Sequence, residues 1–178
     1  TNEGSKMEAK KVPQSIIKRR IFLGKRAYKT NQFLNKVRTI TTPTQRELIP
    51  FLLEGSTSIP KKLKRPDLES MIQDKKLVES LQPVVKSFRE RYNILWKEIA
   101  EGNQKLSNKE IKDYVTHIWD IPSSKTSDVA SWFSTSNKFT NKRYIETLVE
   151  GIEDYDLKPK FTDITDIFNI YSSITNNS

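Results

Sequence analysis

Along most of this chain apolar residues return every three or four positions, the spacing of one face of an α-helix. From Tyr28 the pattern is helical, with Phe33, Leu34 and Val37 on a shared face. Thr42-Pro43-Thr44-Gln45 reads as a helix start: Thr42 caps, Pro43 suits the first helical position, and Gln45 completes a capping box. Leu48, Ile49, Leu52 and Leu53 follow on one side, and Gly55 ends the helix. Residues 56–66 have no helical period and predict a loop or an edge strand, punctuated by Pro60 and Pro66. Residues 67–78 carry Leu68, Met71, Ile72, Leu77 and Val78. After Pro83 comes the longest stripe, Val84, Val85, Phe88, Tyr92, Leu95, Trp96 and Ile99, closed by Gly102.

The second half repeats this grammar. Ser107-Asn108-Lys109-Glu110 forms another capping box, and Ile111, Tyr114, Val115, Ile118 and Trp119 continue as an amphipathic face. Asp120-Ile121-Pro122-Ser123-Ser124 breaks it, and a short helix with Val129, Trp132 and Phe133 turned inward follows. Ile145, Leu148, Val149 and Ile152 predict a further helix, weakened near its end by Gly151. In the tail, Phe161, Ile164, Ile167, Phe168 and Tyr171 fit a helix from Thr162, while their β-branched members leave a strand open.

These elements predict a mostly α fold with minor β, arranged as tandem winged-helix or helix-turn-helix domains. The expected division is a basic, partly disordered lead-in over 1–27, a first domain over 28–102 and a second over 103–178. Within the lead-in, Ile16-Ile17 and Ile21-Phe22-Leu23 flank a basic triplet, and a strand and a short helix both fit them. The chain opens on Thr1 and is read as a fragment of a longer protein.

Charge changes this picture. Residues 1–44 carry eleven Lys and Arg against Glu3 and Glu8, while the rest balances at 20 basic and 20 acidic residues. The pI of about 9.6 thus describes a neutral body with a basic front end. Residues 144–178 hold two basic and seven acidic residues, so a polyanion is drawn to one end and repelled by the other. The candidate nucleic-acid contacts are Lys18, Arg19, Arg20, Lys25 and Arg26 in the front end, and Lys61, Lys62, Lys64 and Arg65 in the proline-flanked loop.

Other chemistry finds little material. With no Cys, disulfides and thiolate metal sites are excluded, and five Gly leave little for phosphate-cradling loops. His117 is the sole His and lies beside the apolar stripe of its helix. Asp154, Asp156, Asp163 and Asp166 match no calcium loop. No enzyme, no cofactor and no bound metal are expected, and no apolar run reaches the length of a membrane span. Trp96, Trp119 and Trp132 fall on apolar faces and read as core rather than as stacking platforms. Residues 107–139 have the form of a helix-turn-helix. The outward face of its second helix shows Lys125, Ser127, Asp128, Ser131 and Ser134, a poor set for reading base edges.

Three segments in this order, TPTQRELIPFLLEG with its basic loop, VVKSFRERYNILWKEI, and SNKEIKDYVTHIWDIPSSKTSDVASWF, resemble the C-terminal winged-helix region of the Stn subunit of yeast-type CST telomere-capping complexes. That subunit is similar to the middle subunit of replication protein A. The resemblance implies a nuclear docking module at chromosome ends, engaging the other capping subunits and DNA polymerase α–primase. It assigns no individual contact residue. The alternative is a winged-helix protein that binds nucleic acid directly through its basic N-terminal segment.

Overall fold

The computed structural model describes residues 12–101, 117–120 and 147–176. Helix α1 spans Gln14–Ile40, α2 Pro43–Leu53, α3 Pro66–Gln73 and α4 Lys75–Glu101. Strand β1 is Trp119–Asp120, α5 is Leu148–Glu153, β2 is Lys158–Pro159 and α6 is Ile164–Asn176. The fold of the described residues is mostly helical, with one small antiparallel sheet in which Trp119 faces Pro159 and Asp120 faces Lys158.

Several of these elements follow from local chemistry read above. Thr42 and Gln45 form the capping box at the start of α2, with Pro43 at its first position. Gly55 takes a positive φ of 73° just past the helix, where a Cβ would be strained. Residues 56–66 contain no strand; Lys61–Leu63 form a single 3-10 turn that ends with Lys64 in the left-handed region. Pro66 opens α3.

Other boundaries differ from expectation. Helix α1 begins at Gln14, so the lead-in over 12–27 is not a separate segment but the first half of one 27-residue helix. Pro83 lies inside α4 rather than before it. Its ring removes one backbone hydrogen bond, but Leu81, Val84 and Val85 around it are all buried, and that burial outweighs the loss. Ile118 and Trp119 are not helical, and Trp119 sits in β1. The proposed helix-turn-helix over 107–139 lies outside the described residues apart from 117–120.

Helices α1, α4 and α6 pack on one another around shared aromatic contacts. Arg26 meets Glu98 and Phe33 meets Phe88, so α1 runs antiparallel to α4. Phe33 also meets Phe168 and Arg38 meets Thr165, so α1 is antiparallel to α6. One core joins Leu34 and Val37 of α1, Ile49 and Leu53 of α2, Val84, Phe88 and Tyr92 of α4, and Ile164, Phe168 and Tyr171 of α6. Phe168 touches Phe88, Tyr92 and Phe33 edge-on at centroid distances of 5.7, 5.0 and 6.2 Å. A second cluster joins Leu48 and Phe51 of α2, Ile59, Leu68 and Ile72 around α3, Leu81 of α4, and Leu148 and Ile152 of α5, with Trp119 against it.

Both clusters therefore cross the boundary expected near 102–106, and the described residues do not divide there. The reason is physical: the apolar faces of α5 and α6 have their partners in α1, α2, α3 and α4. A fragment of residues 28–102 is therefore expected to show no cooperative urea transition. It lacks Ile164, Phe168 and Tyr171, whose burial is worth roughly 5–8 kcal/mol on the scale of a whole domain's stability. Near-UV circular dichroism of that fragment is the check. Gly151 tests the second cluster: a Cβ there would lie 2.2 Å from Cη2 of Trp119. Gly151→Ala is expected to cost about 1–3 kcal/mol by overpacking, read from the urea midpoint, although alanine is the better helix former.

Candidate interaction surface

Helix α1 is about 40 Å long at 1.5 Å per residue. Its second half is seated in the core through Thr30, Leu34 and Val37. Its first half has no buried residue. Ile21 and Phe22 there, and Tyr28 just past the midpoint, are 54%, 56% and 64% exposed. The helix carries eight Lys and Arg and no acid anywhere along its length.

A helix turns about 100° per residue, so neighbours in sequence separate onto different faces. The cluster Lys18-Arg19-Arg20 is split in this way. Lys18, Lys25, Lys29 and Lys36 return to one exposed face, with Phe22 on the same side and all five exposed. Ile17, Ile21 and Tyr28 line the side opposite Thr30, Leu34 and Val37. Arg26 points the other way, toward α4, and its guanidinium lies 2.7 Å from the Glu98 carboxylate. Of the front-end candidates, Lys18 and Lys25 thus share a face, while Arg19, Arg20 and Arg26 do not join them.

Of the loop candidates, Lys61 and Lys64 are exposed, while Arg65 and Lys62 are committed to the protein itself. Arg65 pairs with Glu47 and with Asp67, the latter at 2.9 Å. Arg65 holds the Asp67 carboxyl below the usual carboxylate range, chiefly through the side-chain hydrogen bond. Lys62 donates to the Glu153 carbonyl at 3.0 Å, a cation at the end of α5. Lys61 and Lys62 do line an open groove of about 590 Å³ with Ser58, Ile59 and Gln73, but Glu69 and Glu153 line it as well. That groove offers an anion no net positive field.

Two polar arrangements were not foreseen. The first clasps α1, α2 and α6 together. Arg46 donates to the Asp163 carboxylate at 2.8 Å and to the Thr41 carbonyl at 2.9 Å. Asp163 in turn caps α6, accepting from the backbone N–H and the hydroxyl of Thr165. Burial pushes the Asp163 carboxyl up, but the hydrogen bonds from Thr165 and Arg46 outweigh it and hold it below the usual range. The second is a buried pair, His117 Nε2 and Glu54 Oε1 at 2.5 Å, with side chains only 5% and 3% exposed. The other Glu54 oxygen accepts the Leu148 N–H at 2.8 Å. It joins three distant parts of the chain at the second cluster. The only signal in the sequence was a lone histidine at the edge of an apolar stripe.

The described residues hold no group of three or more His, Asp or Glu able to bind a metal ion. None of their helices is long and apolar enough to cross a membrane. Asp154, Asp156, Asp163 and Asp166 do not converge: Asp163 serves Arg46, and Asp156 lies 4.0 Å from Lys62. No family model matches the chain, and no curated protein or solved structure matches it.

The capping carboxylate gives a pH test. Its folded pKa is depressed, so its contribution is present above the unfolded value near 3.9 and is lost as pH falls through the lower folded value. Asp163→Asn is expected to destabilise by about 1–3 kcal/mol at pH 7. The gap between variant and wild type closes in urea titrations carried below about pH 4.

Proposed function

We propose that this chain is a protein-docking module, a helical body that presents the first half of α1 to partner proteins. The observation that carries the reading is the exposed apolar side of that half-helix, with Ile21 and Tyr28 more than half exposed on the face turned from the core. Surface isoleucine and aromatic residues on one helix face supply the apolar anchor that an interface needs, and the surrounding cations favour an acidic partner. No catalytic role is part of this reading.

Its finer form makes the chain a tandem winged-helix part of a telomere-capping complex in the nucleus, holding capping subunits and DNA polymerase α–primase. That form rests on the resemblance of the three segments alone. A second reading, direct nucleic-acid binding through the basic N-terminal segment, is favoured by a separate observation, the lysine face of α1.

Docking is tested by capture of purified polymerase α–primase on the immobilised chain. The wild type is expected to retain it at near-physiological salt. The double variant Ile21→Ser, Tyr28→Ser should weaken capture roughly tenfold or more, as loss of interface anchors does. Failure of the wild type to hold the polymerase would remove the finer form. Capture that ignores the double variant would remove α1 as the docking element.

A further inference from the structure

We infer that the lysine face of α1 is a track for single-stranded nucleic acid, in which Lys18, Lys25, Lys29 and Lys36 hold backbone phosphates and Phe22 stacks on a base. This rests on the nucleic-acid reading above and deepens it; the docking reading is not needed for it.

The geometry is a straight row. Steps of seven, four and seven residues return to the same side of the helix, so the four ammonium groups lie along about 27 Å of one edge. A linear row suits a linear polyanion. A duplex strand winds around its axis once in about 34 Å and would leave a straight rigid row over much of this length. A flexible single strand can lie along all of it. No carboxylate on α1 interrupts the row. The residues are lysines, which meet phosphate as point charges and carry no demand for a particular base.

Phe22 adds the second element. It is 56% exposed and stands on the row between Lys18 and Lys25. An exposed aromatic ring among cations is the pairing that single-strand binders use, because every base has a face to stack while its phosphates are neutralised. A duplex keeps its bases stacked on one another and offers the ring nothing comparable.

Fluorescence anisotropy with an oligothymidylate of about 20 nucleotides, beside a duplex of equal length, tests this on the full chain. Four phosphate contacts predict a slope of log affinity against log salt near −3 for the single strand, falling to roughly −1.5 in Lys18→Ala, Lys25→Ala. Phe22→Ala is expected to weaken the single strand roughly tenfold and to leave the duplex within about twofold. Lys61→Ala, Lys64→Ala, in the loop between α2 and α3, should change neither by more than about twofold. All of these side chains are exposed, and unchanged circular dichroism confirms the fold. If the duplex binds as tightly as the single strand and Phe22→Ala affects both alike, the single-strand inference falls while the nucleic-acid reading stands. If neither binds at near-physiological salt, both fall. If poly-glutamate of equal charge competes as well as the oligothymidylate, the row reads an acidic polypeptide and the inference is wrong.

Discussion

Insertion of α6 between α1, α2 and α4 is the contact on which the rest of the structure depends. Phe168 is the point of that wedge, with ring contacts to both α1 and α4, and Ile164 and Tyr171 seal the core on either side. Without them the apolar faces of α1 and α4 would meet water over the length they now share with α6. Residues 164–171 thus supply the closing element of a core begun more than a hundred residues earlier. The polar clasp then fixes where the wedge enters. Asp163 must cap α6 and accept from Arg46 at once, and Thr162 donates to Glu47 at 2.9 Å beside it. Helix α2 is the wall common to both clusters, with Ile49 and Leu53 on one side, Leu48 and Phe51 on the other.

Local features were legible in the sequence because they depend on near neighbours. The capping box at Thr42, the stop at Gly55 and the apolar stripes of α2 and α4 are all set within a few residues. The packing of α5 and α6 against α1, α2, α3 and α4 was not legible, because the spacing of apolar residues shows which face is buried but not against what. Two similar runs of stripes look the same whether each closes on itself or both close on each other. Trp119 fitted a helical period, yet its ring is needed against Gly151 and its backbone pairs with Pro159, and tertiary contact outweighs so short a pattern.

The candidate site was legible as charge and not as geometry. Counting located the basic front end, but only the helix sorts Lys18 and Lys25 from Arg26, which serves Glu98. The loop run Lys61, Lys62, Lys64, Arg65 looked equally basic on paper. Its partners, the carboxylates of Glu47 and Asp67 and the backbone carbonyl of Glu153, come from α2, α3 and α5, and a linear reading has no access to them.

The arrangement on α1 is not one that folding requires. An exposed helix gains a few tenths of a kcal/mol from each acid placed four residues before a base, and loses about as much when like charges take those positions. Lys25 and Lys29 are such a like pair, and α1 has no acid with which to make a favourable one along its own length. Exposed Phe22 and Ile21 add apolar area in water. Each cost is small, but all fall on the same half-helix, the half that contributes no buried residue to the core. Stability alone would favour glutamates there. A surface that is locally unfavourable and remote from the core is explained by what it meets outside the molecule, and its chemistry, cationic with apolar relief, specifies a partner that is anionic and has flat or apolar faces to cover.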